Sequence, residues 1–178
     1  MRIIRGIYKT RYYKVPKGFP SRPTTDFAKE GLFNVIENLK TLDDLSILDL
    51  CAGTGNISIE FLSRESGSVI AIDSHFNTVK HLKKVADELG CANDLTIYKM
   101  DMIKYLEKSD LKFDLIFADP PYSYANHDKI VELVQSKDML HENGLLIIEH
   151  GKDTNLEKLA NFMFIKKYGA VHFSFFNK

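Results

Sequence analysis

Residues 117–124 read FADPPYSY. Upstream, Phe113, Leu115, Ile116 and Phe117 have the character of a covered parallel strand, and that strand meets an acid, two prolines and an aromatic ring. Pro120 and Pro121 donate no ladder hydrogen bond, so the strand stops at Asp119. The rigid turn that follows gathers the Asp119 carboxyl, the Pro120 carbonyl and the Tyr122 ring at one strand end, where open α/β sheets bind ligands. Two acceptors and a stacking surface are thereby offered to a single guest. A proline turn closing a strand explains the prolines but not the acid and the aromatic together.

A second constellation lies in LDLCAGTGN, where Gly53 and Gly55 let the backbone approach a ligand closely and turn tightly into a helix with an electropositive N-terminus. A dinucleotide fingerprint needs a third glycine three residues on; Ser58 stands there, so a nicotinamide cofactor fits poorly. Asp49 would repel a pyrophosphate and suits a cationic ligand carrying an amine, such as S-adenosylmethionine. Asp73 follows the glycines by about 20 residues, the separation from which a carboxylate reaches ribose hydroxyls. Asp101 is placed to accept from the adenine amine, with Met102 packing near the ring. Strand-end aspartates also cap helices, and Asp73 and Asp101 both precede one. Coincidence favours the ligand: Asp49, Asp73, Asp101 and Asp119 close four consecutive strands and share one edge of a parallel sheet. The expected cofactor cradle is Asp49, Cys51, Ala52, Gly53, Thr54, Gly55, Asp73, Ser74, Asp101 and Met102.

The elements that must position these residues follow from hydrophobic period. After Pro23, the residues Thr24, Thr25 and Asp26 offer caps to FAKEGLFNVIENLK, whose Phe27, Leu32, Val35, Ile36 and Leu39 lie near helical spacing. Strand and helix patterns then alternate: SILDL, a helix over 56–64, SVIAID, a helix over 76–89, DLTIYKM, a helix over 103–108, FDLIFAD, a helix over 129–135, and GLLIIEH. Five strand patterns separated by helices predict right-handed crossovers and a parallel sheet covered on both faces. Phe76, Val79, Leu82, Val85, Ala86 and Leu89 form one apolar stripe. In the tail, MFIKKYGAVHFSFF holds two strand-like pieces with no helix between them, which predicts a hairpin and an antiparallel final strand.

A chain of 178 residues suffices for one domain with a real core. The expected parts are an arm over 1–22, a leading helix over 23–40 and a Rossmann-like core over 45–178. Hydrophobic content of 44% and charged content of 27% exclude disordered and fibrous classes. No apolar run reaches membrane-spanning length, and MRIIRGIYKTRYYK lacks the core of a signal peptide, so a cytoplasmic location without membrane contact is expected. Cys51 and Cys91 lack CxxC spacing and read as reduced thiols, and the six histidines lack ligand spacing and read as surface residues; no metal is expected. Glu149 and His150 lie beside the site, but the loop starting at Gly151 accounts for them.

Net charge is zero, which argues against coating nucleic acid through bulk charge. Its distribution is uneven, because Arg2, Arg5, Lys9, Arg11, Lys14, Lys17 and Arg22 all precede Asp26, the first acid. Interleaved with Tyr8, Tyr12, Tyr13 and Phe19, these bases can pair with phosphates while the rings stack on bases. Alternatively, the arm is a solvated edge hairpin whose charges deter aggregation.

LDLCAGTGN, AID, KMD and DPPY, in this order and spacing, resemble the class I S-adenosylmethionine-dependent methyltransferases, whose sheet has seven strands with the last antiparallel. DPPY resembles the signature of members that methylate exocyclic or amide nitrogen. The resemblance implies that Asp119 and the Pro120 carbonyl accept the amine hydrogens while Tyr122 stacks on the base. RIIRGIYKTRYYKVPKG followed by SRPTTDFAKEGLFN resembles the RsmD family, which methylates guanine N2 in 16S ribosomal RNA. Arg5 and Thr10 stand where glycine is common in that family. The resemblance implies S-adenosyl-L-homocysteine as product, the ribosomal RNA or an assembling small subunit as partner, no obligate protein partner, and RNA contacts from Arg2, Arg5, Lys9, Arg11, Lys14 and Arg22. Methylation of adenine N6 or cytosine N4 in DNA, or of a protein glutamine, uses the same geometry and is the alternative among enzymes. From another class, a nucleic-acid-binding module without turnover would keep the fold.

Overall fold

The computed structural model describes residues 1–16 and 24–178. Lys17 and Arg22 of the arm, and the start of the RPTTD stretch, lie outside the described residues. Along the chain run α1 (Asp26–Leu39), β1 (Ser46–Asp49), α2 (Asn56–Ser63), β2 (Ser68–Asp73), α3 (Phe76–Leu89), β3 (Leu95–Lys99) and α4 (Met102–Lys108). They are followed by β4 (Phe113–Ala118), α5 (His127–Ser136), β5 (Leu140–His150), β6 (Phe162–Tyr168) and β7 (Val171–Asn177).

The strands form one seven-stranded sheet in the order β3-β2-β1-β4-β5-β7-β6. Pairing is parallel from β3 through β5, and β7 runs antiparallel to both β5 and β6. This is the Rossmann-like class I architecture anticipated from the sequence. Successive residues of each central strand face opposite layers, as strand geometry requires. Ile47 and Leu115 pack with α1, α2 and α3 on one face, and Leu48 and Ile116 pack with α4 and α5 on the other. From β1 the chain winds outward through β2 and β3, then returns to place β4 on the other side of β1. The crevice therefore opens between the carboxyl ends of β1 and β4, where a doubly wound sheet binds its ligands.

Several local expectations are corrected. Phe27 and Phe76 are 71% and 62% exposed: each lies on the first turn of its helix against an edge strand, Phe27 edge-on to Tyr168 of β6 and Phe76 under Lys99 of β3. The inward stripe of α1 is Ala28, Leu32, Phe33 and Ile36, together with the buried Lys29. Thr25, not Thr24 or Asp26, caps α1 by accepting from the Ala28 amide. α5 begins two residues earlier than its apolar pattern. β5 begins at Leu140, with Asn143 in the left-handed region and a register shift against β4 where polar residues masked the strand. His81, His127, His150 and His172 are buried, contrary to the surface reading: His150 bonds Ser174 Oγ at 2.8 Å and stacks edge-on with His127 and His172. Both cysteines are free thiols.

The arm folds as an antiparallel loop with a bridge between Arg2 and Tyr12, drawn by Ile3 and Tyr13, which enter the core. Polar groups lock it to the helices. Glu60, fully buried on α2, accepts from the amides of Ile4 and Arg5 at 2.9 and 3.0 Å and pairs with Lys29 and Arg64. Lys29 Nζ also donates to the Arg2 carbonyl. At Gly6, with φ +89°, an added Cβ would fall 1.6 Å from the Ser63 carbonyl oxygen, so backbone meets backbone here. Among the described residues, no helix is long and apolar enough to cross a membrane.

Candidate active site

The turn from β1 into α2 is built by backbone bonds. The Ala52 amide donates to Ile72 O at 2.9 Å and the Gly55 amide to Ala52 O at 2.7 Å. Gly55 holds φ +79°, a left-handed backbone that other residues rarely adopt, and a Cβ there would sit 2.3 Å from Leu82 Cδ1, which would have to swing aside. Asp73 braces the loop: Oδ2 accepts from Gly53 N at 3.0 Å and Oδ1 from His75 N at 2.8 Å. Cys51 Sγ lies 3.4 Å from Met102 Sδ, which joins the loop to the start of α4, while Thr54 is buried and Ser74 is exposed.

Asp49 is buried at the end of β1 and receives Ser58 Oγ at 2.6 Å on Oδ2. Ser58, which occupies the third-glycine position of the dinucleotide fingerprint, is thus a partner of the acid. Oδ1 is buried with no hydrogen-bond partner. Burial, helped by the charge of Asp73, pushes this carboxyl up to about 6, against the Ser58 hydroxyl and the Cys51 and Ser58 amides, which favour its charged form. An orphaned carboxylate oxygen beside a glycine loop fits a ligand that brings its own cation, as the amino group of S-adenosylmethionine would. Asp101 does the work of a cap, Oδ1 accepting from the Ile103 and Lys104 amides at 3.0 and 3.1 Å. The four strand-end acids do share one sheet edge.

Across the crevice, Asp119 follows β4 directly. Pro120 is buried, Tyr122 is exposed, and the Pro121 carbonyl accepts from Tyr124 N at 2.7 Å to close the turn. The Tyr122 ring covers Gly151: Cδ2 and Cγ stand 3.9 Å from where a Cβ on that glycine would be. Burial first, then the charges of Glu149 and Asp49, push the Asp119 carboxyl well above the usual range. Sequence reasoning passed over Glu149. It is 2% exposed, it receives Thr24 Oγ1 at 2.8 Å, and burial lifts it to about 7. The available signal was an acid inside an otherwise continuous apolar strand, IIEH, which a following loop does not explain.

The expected RNA-contacting residues divide. Arg2 pairs with Asp26 at 3.1 Å and Arg5 with Glu37 at 2.8 Å, so both fasten the arm to α1. Lys9, Arg11 and Lys14 are exposed and make no salt bridge among the described residues, with Arg11 over the Tyr8 ring. Tyr13, expected to stack on bases, is in the core instead.

Sheet order, antiparallel β7, glycine turn and DPPY edge together define a class I methyltransferase fold. The chain belongs to the RsmD family: the model of the family described as "Conserved hypothetical protein 95" matches residues 1–177. It is 32% identical over 184 residues to YlbH of Bacillus subtilis, covering all of this chain and 99% of that protein. It is 30% identical to "Ribosomal RNA small subunit methyltransferase D" of Buchnera aphidicola, covering 99% and 91% of the two chains. Among solved structures, yhhF of Escherichia coli superposes with a TM-score of 0.86 at 25% identity, covering 100% and 97%. A Thermus thermophilus 16S rRNA N2 methyltransferase, RsmC, in complex with AdoMet and guanosine, shares the fold with a TM-score of 0.72 at 17% identity over 90% of this chain and 45% of its own.

Proposed function

We propose that the protein methylates N2 of one guanine in 16S ribosomal RNA, using S-adenosylmethionine. The observation that carries this reading is the pairing, across one crevice, of a buried carboxylate with an orphaned oxygen on the glycine side and an acid–carbonyl–aromatic turn on the other. Ribosomal RNA as the substrate class is supported by the names of the relatives, and the N2 position by the RsmD resemblance and the RsmC fold.

When bound, the cofactor supplies an electrophilic methyl group on a sulfonium. Asp49 would hold its amine, Asp73 its ribose hydroxyls, and Met102 with Asp101 the adenine edge. The chain's own work is orientation. An aryl amine conjugated with its ring is a poor nucleophile, so the Asp119 carboxyl and Pro120 carbonyl hold its two hydrogens and turn the lone pair toward the methyl carbon. Tyr122, exposed before the base arrives, offers a stacking face to a nucleotide turned out of its helix. The sulfonium would supply the methyl carbon and keep the C–S electron pair, leaving a neutral thioether, while Asp119 and the Pro120 carbonyl hold the amine in line. The nitrogen becomes cationic and a strong acid, and Asp119 takes or relays its proton.

Transfer of labelled methyl to small-subunit particles from cells lacking the gene, followed by nucleoside analysis, tests the reading. N2-methylguanosine at one position is expected, and label in adenine, cytosine or protein would overturn it. Asp119→Ala should lose at least about a hundredfold in rate while retaining RNA binding.

A further inference from the structure

Glu149 has no role in the reaction described so far, yet its position is built. Ala118 pairs with Ile148 in the parallel β4–β5 ladder, so the next residues along, Asp119 and Glu149, stand side by side on adjacent strands and the same face. Glu149 is buried, and a second side chain fixes it: Thr24 Oγ1 donates to Oε2 at 2.8 Å. Thr24 is itself held, since its carbonyl accepts from Asn56 Nδ2 at 3.0 Å, and Asn56 Oδ1 accepts from Lys29 Nζ at 2.8 Å. Oε1 makes no hydrogen bond among the described residues. A carboxylate oriented at such expense of buried polar groups, with one oxygen claimed by none of the described residues, is prepared for a donor.

The donor must come from the base side of the crevice. The cofactor acids Asp49, Asp73 and Asp101 lie on β1, β2 and the end of β3, whereas β5 flanks β4 on the opposite side. Tyr122 leans toward β5, its ring over Gly151, two residues beyond Glu149. A base stacked on that ring with its amine on Asp119 sets one of the ring nitrogens beside the amine toward Glu149, and a carboxylate there favours the one that carries a hydrogen over guanine's bare N3. In guanine that nitrogen, N1, carries a hydrogen. In adenine and cytosine the nitrogen beside the amine is bare and would set a lone pair against the carboxylate.

We propose that Glu149 is the residue that selects guanine, accepting the N1–H of the target base while Asp119 and the Pro120 carbonyl hold N2. The assignment rests on the N2-guanine reading above. It gives the RPTTD stretch a function in the reaction: Thr25 caps α1, and Thr24 sets the rotamer of the selecting carboxylate. Burial opposes ionisation of both carboxyls, the Glu149 charge raises Asp119 further, and a donated N1–H favours the charged form of Glu149 on binding.

The test compares kcat/KM for substrate RNA carrying guanine or 2-aminopurine at the target position. 2-Aminopurine keeps the amine at C2 but has a bare N1. Wild-type enzyme should prefer guanine by at least about a hundredfold, as sites built around a buried hydrogen bond do. Glu149→Gln should bring the two bases within about tenfold, because its amide can donate to a bare nitrogen. The O6 that 2-aminopurine also lacks acts equally in both enzymes, so the change in ratio isolates N1–H. Thr24→Val, which keeps the carboxylate but removes the bond that sets its rotamer, should lower the rate on guanine and narrow the preference without erasing it. Equal reactivity of the two bases with wild-type enzyme overturns the assignment without need of any variant, and so does an unchanged ratio in Glu149→Gln. Transfer by wild-type enzyme to another nitrogen altogether removes the functional reading first, and is distinguished by nucleoside analysis.

Discussion

Asp49 shows at residue scale how a site can be legible in kind and not in detail. Its type and its place before two glycines predicted a partner for a cationic ligand; that Ser58 would bond one oxygen and leave the other orphaned required the packing of α2 on β1. Burial raises this carboxyl to about 6, so it is ionised above that pH and neutral below it. The charge proposed to pair with the cofactor amine is thus lost as pH falls through about 6. Titration calorimetry should show S-adenosylmethionine binding weakening over that interval. Asp49→Asn should bind about tenfold more weakly near pH 8 and show little further loss on acidification. A wild-type affinity flat from pH 5 to 8 would remove the ion pair from the account. Glu149 is the opposite case: its residue type was plain in the sequence, but its partner Thr24 lies 125 positions away, and no local pattern announces a contact of that range.

At the scale of elements, every strand and helix of the core was legible, because the parallel sheet imposes continuous apolar strands and each helix shows its period. What sequence could not supply was the faces. Phe27 and Phe76 satisfy helical spacing on paper, yet each meets a side chain of an edge strand, Tyr168 or Lys99, and stays exposed. The arm was legible as basic, but its attachment through backbone amides to Glu60 leaves no trace in composition. That attachment yields two expectations. Lys29→Met leaves Glu60 buried with one cation fewer and should cost on the order of 3 kcal/mol, seen as a lowered midpoint in urea and faster proteolysis within 1–16. Thr10 holds φ +69°, a left-handed conformation poorly tolerated by a β-branched residue. Thr10→Gly should therefore stabilise the protein by about 1 kcal/mol, raising Tm by roughly 2–4 °C by calorimetry. A fall in Tm would mean that the arm does not hold that turn.

For the whole molecule, zero net charge conceals a division of labour within the arm. Acids and bases balance at 24 each, so overall attraction to RNA is weak and contact must be local. Arg2 and Arg5 are spent on Asp26 and Glu37, whereas Lys9, Arg11 and Lys14 project from a segment that Glu60 and Lys29 hold rigidly against the core. The same buried chain continues through Asn56 and Thr24 to Glu149, so the surface proposed to meet phosphates and the pocket proposed to meet the base share one support. Each phosphate neutralised on single-stranded RNA contributes about 0.7 to the slope of log K against log salt. Replacing Lys9, Arg11 and Lys14 together by alanine should therefore flatten that slope by about 2 and weaken binding chiefly at low salt. Arg2→Ala with Arg5→Ala should instead lower Tm and leave the slope nearly unchanged, since those guanidinium groups are already paired. Filter binding across a salt series separates the two outcomes. A slope indifferent to the triple change would make the arm a protective edge and move RNA recognition onto the core.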